Sequence, residues 1–185
     1  NNLVTLLNVI NYVKKMKSNS KIIFFSSSEV YSSLIESKKI RFPISEDNQI
    51  LIPNNLIKRD SYFLSKFFGE KIIEMSGLNF INLRPHNIYG PRMGKSHVIP
   101  ELIEKINSNS KSVNIFSPNH MRAFCYIDDA IEQIIKLSLD KSTNRKTYNI
   151  GNMTEEIKIY SLAKKIKKIL KSKSTLKRSN ITAGS

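Results

Sequence analysis

The chain has 185 residues, of which 40% are hydrophobic and 24% are charged, and a formal net charge of +15. This composition is ordinary for a globular protein, and no apolar run reaches the ~20 residues that a membrane-spanning helix needs. The single cysteine, Cys125, excludes an internal disulfide and fits a cytoplasmic location. The three histidines show no metal-ligand spacing, so no metal site is predicted.

The positive charge has two interpretations. A nucleic-acid-binding protein carries basic patches that release counterions from phosphates, whereas scattered lysines form an ordinary solvated surface. Here the lysines are scattered, and they concentrate only in residues 164–178, next to apolar residues at helical spacing. The sequence therefore favours a solvated surface over a nucleic-acid partner, although such a surface also attracts smaller anions.

The first half of the chain predicts helices that alternate with a strand. Helical apolar spacing covers residues 1–17, at Leu3, Leu6, Leu7, Ile10 and Val13. A continuous apolar run, typical of a buried parallel strand, covers residues 21–25, and the polar residues 31–58 predict a loop. A second helix is predicted to begin at an N-cap in residues 59–61 and to end at Gly77. Its packing face is predicted to consist of Leu64, Phe68, Ile72 and Met75.

The second half continues the same alternation. Strands are predicted over residues 78–83, 113–116, 122–127 and 147–150, and helices over residues 100–107, 130–139 and around 159–170. Strands that alternate with helices are typical of an α/β fold with a parallel sheet. We therefore predict that class.

Tyr62 and Lys66 are the candidate catalytic pair. Four residues apart in a helix, their side chains project from one face. At roughly 6 Å and an effective dielectric of about 20, an ammonium favours a phenolate by roughly 3 kcal/mol. An isolated pair of this kind is more often solvated, but the strand before it ends in the hydroxyl-rich residues 26–28. The carboxyl ends of parallel strands are where α/β sheets bind ligands, so this context favours chemistry.

Three motifs in this order resemble the extended short-chain dehydrogenase/reductase family, the NAD-dependent nucleotide-sugar epimerases and dehydratases: Ser27-Ser28-Glu29-Val30-Tyr31, Tyr62-x-x-x-Lys66 and Arg84-Pro85-His86-Asn87-Ile88-Tyr89-Gly90-Pro91-Arg92. The resemblance covers nearly the whole chain. It implies a Rossmann-like parallel sheet, represented by its C-terminal part, together with part of a smaller substrate-binding domain. The implied divisions are residues 1–90 for the dinucleotide-binding part, 91–127 for a substrate-binding segment, 128–151 for a helix and strand that return to the main sheet, and 152–185 for the start of a truncated substrate-binding region.

The resemblance also implies catalytic roles. Tyr62 is the base that takes a proton from a sugar hydroxyl, Lys66 binds the nicotinamide ribose, and Ser27 hydrogen-bonds the reacting oxygen. The structural alternative for Ser27 is capping the end of a strand. Glu29 matches the carboxylate with which dehydratases remove the proton beside a transient ketone. A carboxylate held in the adjoining loop is an equally weighted alternative.

The remaining site residues follow from the same resemblance. The cofactor-binding set is Asn2, Tyr62, Lys66, Pro85 and His86. The substrate-binding set is Asn87, His97, Val98, Asn114, Phe116 and Arg122. Two positions depart from the family pattern: His97 stands where an asparagine is usual, and Ala123 follows Arg122 where an aspartate is usual.

The glycine pattern predicts that part of the cofactor site is missing. No glycine precedes Gly69, so the chain has no glycine-rich loop with which a backbone approaches a pyrophosphate. We therefore expect a fragment that lacks the N-terminal glycine-rich half and is inactive by itself.

The function that the resemblance implies is NAD-dependent epimerisation or dehydration of a nucleotide-diphosphate sugar, by transient oxidation of its C4 hydroxyl. NADP is an open alternative cofactor, and a homodimer formed through the Tyr62 helix is expected. The alternative within the family is an NDP-uronate decarboxylase. The alternative from another class is a catalytically inactive, basic binding protein on the same fold.

Overall fold

The computed structural model describes residues 2–37, 43–108 and 110–179. Its helices are α1 (Asn2–Lys15), α2 (Ser32–Glu36), α3 (Asp60–Met75), α4 (Val98–Asn107), α5 (Ile127–Leu139) and α6 (Ile159–Ile169). Its strands are β1 (Ile22–Phe25), β2 (Phe80–Pro85), β3 (Ile88–Tyr89), β4 (Ser112–Ile115), β5 (Met121–Ala123), β6 (Cys125–Tyr126), β7 (Lys146–Ile150), β8 (Glu156–Lys158) and β9 (Thr175–Arg178). Within these described ranges, every helix is too short or too polar to cross a bilayer.

The chain divides into two compact units. The first contains residues 1–86 and 128–151, and the second contains residues 87–127 and 152–185. The first unit contains a parallel sheet in the strand order β1-β2-β7. Its middle strand, β2, is buried along nearly its whole length, as expected for a strand with a neighbour on each side. The α/β fold with a parallel sheet that the sequence predicts is confirmed.

The helices α1 and α3 cover the sheet through an apolar cluster that joins Leu6 and Ile10 to Ile73 and Phe80. Gly69 lets α3 approach the sheet closely. A Cβ atom at that position would lie 2.4 Å from the ring of Phe24 in β1, closer than two carbon atoms can pack. This close approach brings the first turns of α3 next to the carboxyl end of β1.

The predicted packing face of α3 is wrong at Phe68 and Met75, whereas Leu64 is half-buried and Ile72 packs against the apolar cluster beneath the helix. Its buried residues are Phe63, Gly69, Glu70 and Ile73, whereas Phe68 and Met75 are 45% and 78% exposed. The reason is that the inner face carries a buried carboxylate, so it does not coincide with the apolar stripe. A similar error affects α1, where Leu7 is 43% exposed and Leu6, Ile10 and Val13 are the buried residues.

The predicted loop over residues 31–58 is partly helical. A 3-10 turn at Ser28–Tyr31 leads directly into α2, and Val30, Tyr31 and Leu34 are buried. Residues 38–42 of the predicted loop lie outside the described residues. The N-cap of α3 lies within the predicted residues 59–61, at Arg59, but the side chain of Arg59 forms no capping hydrogen bond. Gly77 follows the end of α3 with a positive φ of 79°, as the sequence predicts.

The second unit has its own core, where α4 and α6 pack around β4. Its strands form three pairs: β4 with β9 and β3 with β6 in parallel, and β5 with β8 antiparallel. The single predicted strand over residues 122–127 is therefore two short strands with different partners. The buried core residues are Leu102, Ile106, Val113, Ile115, Ile159, Ala163 and Ile166. Ile169, the last residue of α6, is 78% exposed.

Candidate active site

Tyr62 and Lys66 lie on one face of α3, as the sequence predicts. The Lys66 Nζ atom is 5.8 Å from the centre of the Tyr62 ring. The same ammonium donates a hydrogen bond of 2.8 Å to the backbone carbonyl of Phe25, the last residue of β1. Burial lowers the pKa of Lys66 below its ordinary value. Tyr62 is 48% exposed, so its phenol is open to a ligand while its lysine is held against the sheet.

Ser27 stands just beyond β1 and is buried. Its hydroxyl oxygen accepts a hydrogen bond of 3.2 Å from the backbone N–H of Glu29 and so caps the 3-10 turn. A serine hydroxyl retains one donor proton and a second lone pair, so this contact leaves it able to bind a ligand oxygen. Ser26, also buried, has a hydroxyl without a hydrogen-bond partner among the described residues.

Glu29 carries an exposed carboxylate two residues after Ser27. Its nearest cation is the Arg59 guanidinium at 3.9 Å, and both side chains are well exposed, at 45% and 80%. An exposed pair at this distance contributes little, so the carboxylate is not held rigidly. The geometry leaves both the catalytic and the loop interpretation of Glu29 available.

Asn2 lies beside the turn that carries the candidate pair. Its side-chain amide donates a hydrogen bond of 3.3 Å to the hydroxyl of Ser65, which in turn donates to the Tyr62 carbonyl. The first turn of α1 is thus brought to the residues between Tyr62 and Lys66.

Pro85 is the last residue of β2, where it pairs with Ile150 at the end of β7, and His86 follows it. The His86 backbone N–H donates to the carbonyl of Ile150, and its ring Nε2 lies 3.2 Å from the Asn149 Oδ1 atom. Gly151 packs against the same residue, since a Cβ atom there would lie 3.1 Å from the His86 Cβ. Burial lowers the pKa of His86.

A buried ion pair beneath these residues was not anticipated from the sequence. Arg84, at the end of β2, forms two hydrogen bonds with the Glu70 carboxylate of α3, at 2.9 and 2.6 Å, and both residues are almost completely buried. Burial acts to lower the pKa of Arg84, but the Glu70 hydrogen bonds outweigh it and hold that pKa above its ordinary value. The available signal was an acidic residue, Glu70, one helical turn beyond Lys66.

The predicted substrate-binding residues all belong to the second unit. Asn87 has a positive φ of 42°, and its side chain donates to the carbonyl of Ala123, next to Arg122 in β5. Phe116 follows β4, and the Lys105 ammonium lies 5.3 Å from its ring centre. The others are the N-cap of α4 (His97), its first residue (Val98) and an exposed residue of β4 (Asn114).

A parallel α/β sheet with a Tyr-x-x-x-Lys helix beside the carboxyl end of one of its strands is typical of the short-chain dehydrogenase/reductase class. Within this class, residues 1–151 match the model of the NAD dependent epimerase/dehydratase family. The chain belongs to that family, and the family predicted from the sequence is confirmed.

Similar proteins agree with this assignment. The UDP-D-apiose/UDP-D-xylose synthase of Oryza sativa subsp. japonica is 29% identical over 88% of this chain, which spans only 47% of that relative. The UDP-N-acetylglucosamine 4-epimerase of Methanobrevibacter ruminantium M1, solved with UDP-N-acetylmuramic acid, has a TM-score of 0.80 at 25% identity, covering 100% of this chain and 57% of its own. The UDP-glucuronic acid 4-epimerase of Bacillus cereus, solved with UDP-glucuronic acid and NAD, has a TM-score of 0.78 at 25% identity. The match covers 100% of this chain and 56% of that epimerase.

Proposed function

We propose that this chain forms the catalytic part of a nucleotide-sugar epimerase or dehydratase that oxidises a sugar C4 hydroxyl transiently. The observation that carries the proposal is the Tyr62–Lys66 pair, with the lysine anchored to the carbonyl at the end of β1. Family membership and the UDP-sugars bound by similar proteins support it. Turnover of nucleotide sugars by a protein that contains this chain is the direct test.

In this proposal Tyr62 accepts the proton of the sugar hydroxyl, and Ser27 holds the oxygen of that hydroxyl. The Lys66 ammonium has three donors and uses one on Phe25, so two remain for ribose hydroxyls and for stabilising the Tyr62 oxygen. When bound, a nicotinamide cofactor supplies the hydride acceptor for the oxidation. NAD is the proposed cofactor, and NADP remains open.

The residues present fit one end of such a cofactor. Asn2, Tyr62, Lys66, Pro85 and His86 would hold the nicotinamide and its ribose. Gly151 allows the end of β7 to pack closely on His86, because a Cβ atom there would lie 3.1 Å from the His86 Cβ. The pyrophosphate end is different, because residues 1–68 contain no glycine with which to form a phosphate-binding loop.

The 185-residue chain is therefore expected to bind NAD weakly or not at all. Backbone N–H groups of a glycine-rich loop normally carry the pyrophosphate, and the nicotinamide contacts alone do not replace them. Isothermal titration calorimetry with NAD tests this, with Lys66→Met as the control for any residual binding at the nicotinamide end. Micromolar affinity in the unmodified chain would refute the expectation.

Glu29 is proposed to determine the reaction type. Epimerisation needs only C4 oxidation and hydride return to the other face of the sugar, whereas 4,6-dehydration also needs a carboxylate that removes the C5 proton. We expect Glu29→Gln, which keeps the size and removes the charge, to lower 4,6-dehydration about 10²-fold and to spare C4 oxidation. Exposed Glu36→Gln in α2 is the matched control.

The measurement is NMR of the products formed from a panel of NDP-hexoses in deuterated water. Deuterium at C5 of a 6-deoxy-4-keto product, lost in Glu29→Gln, supports the dehydratase. A C4 epimer without solvent deuterium, formed equally by both proteins, makes Glu29 structural and the enzyme a plain 4-epimerase.

An NDP-uronate decarboxylase is the second candidate, and one observation favours it. The similarity to a UDP-D-apiose/UDP-D-xylose synthase extends over 88% of this chain. Including UDP-glucuronate in the same panel and measuring released carbon dioxide separates this activity from the other two.

We also propose a cytoplasmic homodimer that associates through α1 and α3. These neighbouring helices and the residue that follows α1 expose large apolar side chains that a monomer leaves in water: Tyr12 at 65%, Met16 at 58%, Phe68 at 45% and Met75 at 78%. Exposed apolar groups that are neighbours on a surface are typical of protein–protein contacts. Phe68 and Met75, two of the residues that the sequence placed inward on α3, are thus available to a second copy.

A further inference from the structure

The buried arginine at the end of β2 starts a chain of hydrogen bonds with a fixed direction. Arg84 has N–H donors and no acceptor, and its Nη1 atom lies 2.5 Å from the Tyr31 hydroxyl oxygen. The Tyr31 oxygen must therefore accept this bond, which leaves its O–H to donate to the Asn149 Oδ1 atom at 3.0 Å. Burial raises the pKa of Tyr31, so the hydroxyl keeps the proton that it donates.

Asn149 continues this series of hydrogen bonds, because the donor and the acceptor atom of its side-chain amide can both be identified. Its Nδ2 atom donates to the carbonyl of Ile44 at 2.8 Å, which fixes the amide orientation. Its backbone N–H donates to the Glu46 carboxylate, which ties the same loop to β7. The Oδ1 atom therefore faces both Tyr31 and the His86 Nε2 atom at 3.2 Å. An amide oxygen has no proton to give, so Nε2 must carry the hydrogen of this bond.

We propose that Asn149 is a positioning residue that holds His86 as a neutral imidazole protonated at Nε2, so that Nδ1 accepts a hydrogen bond from the bound nucleotide ligand. In a neutral imidazole only one ring nitrogen is protonated, and the other is an acceptor. Nδ1 has no hydrogen-bond partner within residues 2–37, 43–108 and 110–179. The ligand group is an uncharged donor, either the nicotinamide carboxamide N–H or a sugar hydroxyl. This inference rests on the proposed function.

The surroundings of His86 favour the uncharged ring. Burial acts first to lower its pKa and Arg84 adds to that effect, while the Asn149 hydrogen bond and Glu46 act in the opposite direction. The net result is a pKa below the ordinary histidine value, so the ring is neutral at physiological pH. Glu70 neutralises the arginine from α3. His86 is thus an acceptor for the ligand and not its proton donor.

The backbone of His86 is held in place by contacts of its own. The His86 backbone N–H is bonded to Ile150, and Gly151 packs against its Cβ atom. The side-chain amide of Gln133, in α5, bonds both the N–H and the carbonyl of Gly151. His86 is therefore held at the ends of β2 and β7, where the Asn149 Oδ1 atom lies 3.2 Å from its ring Nε2 atom.

The tautomer is measured by ¹⁵N NMR of the histidine-labelled 185-residue chain, with His97 and His120 as internal controls. We expect the Nε2–H form of His86 in the unmodified chain. Asn149→Leu removes the acceptor and should yield a mixture of tautomers. Asn149→Asp restores the acceptor, should keep the Nε2–H form, and should raise the pKa of His86 by adding a negative charge.

Two results would overturn the positioning role: an Nδ1–H tautomer in the unmodified chain, or an unchanged tautomer in Asn149→Leu. If Asn149→Leu does not fold, the unmodified chain and Asn149→Asp still test the positioning role. Asn149→Asp must keep the Nε2–H tautomer of His86 and must raise the pKa of His86. None of these readouts depends on enzymatic turnover, so a failure of the proposed function is seen separately.

The ligand contact is tested in an active protein that contains this chain. Replacing NAD by an analogue with an acetyl group in place of the carboxamide removes that donor, and a deoxy-sugar substrate removes a hydroxyl. One of these changes should lower kcat/KM about tenfold in the unmodified protein and have little effect in His86→Phe. Equal losses in both proteins for every ligand would overturn the contact, and absence of turnover in the unmodified protein would instead refute the proposed function.

Discussion

Tyr62→Phe is expected to lower kcat about 10²–10⁴-fold while leaving substrate affinity largely unchanged. Phenylalanine keeps the ring on α3 and removes only the oxygen that accepts the proton. Lys66 keeps its bond to Phe25 in this variant, so the ribose-binding side of the site is not disturbed. Steady-state kinetics with the nucleotide sugar that the active protein accepts gives kcat and KM separately.

The control for this prediction is Tyr126→Phe, which removes a phenol from β6 in the second unit. It is expected to leave kcat near the unmodified value. Turnover by Tyr62→Phe within about threefold of the unmodified protein would exclude Tyr62 as the base. A rise in KM without a fall in kcat would instead assign the hydroxyl to binding, because general-base loss acts on the chemical step.

Much of the first unit was predictable because local patterns determine it. The apolar run at residues 21–25 predicts the strand β1, and spacing alone places Tyr62 and Lys66 on one helical face. The predicted burial of that strand is wrong, because β1 has only β2 as a neighbour among the described residues, and Ile23 and Phe25 are 38% and 47% exposed. Gly77, with its positive φ, marks the end of α3 for a purely local reason. The arrangement of the candidate pair at the carboxyl end of β1 follows from these elements together with the parallel sheet.

The errors come from long-range partners. The inner face of α3 includes Glu70 because Arg84, 14 residues later in the chain, neutralises it. An apolar count cannot anticipate this, since an unpaired carboxylate belongs on the surface. The result is that Phe68 and Met75 turn outward.

The same limit explains why the hydrogen-bond network around His86 was missed. Tyr31 and Asn149 are separated by 118 residues, and neither belongs to a recognisable motif with the other. Their contact depends on the parallel neighbours β2 and β7, whose ends meet at one edge of the sheet. The sequence predicts which strands exist, but the pairing of particular polar side chains follows only once the strand order is known.

Arg84→Leu is expected to destabilise the first unit by about 3–5 kcal/mol, because it leaves the Glu70 carboxylate buried without a partner. Glu70 is 0% exposed and Arg84 is 4% exposed, so water cannot replace the lost hydrogen bonds. The variant also removes the donor to Tyr31. Urea unfolding followed by circular dichroism at pH 7 measures the change in the free energy of unfolding.

The double variant Arg84→Leu/Glu70→Leu separates the burial of an unpaired charge from the loss of packing. Removing both charges should recover most of the stability lost in Arg84→Leu, since a buried ion pair is often no more stabilising than apolar residues of similar volume. The matched surface control is Lys136→Leu, which breaks the exposed pair with Glu132 in α5 and should change the stability far less than Arg84→Leu does. A double variant that is no more stable than Arg84→Leu would show that the guanidinium stabilises the unit through Tyr31 and the Glu46 carbonyl rather than by neutralising Glu70.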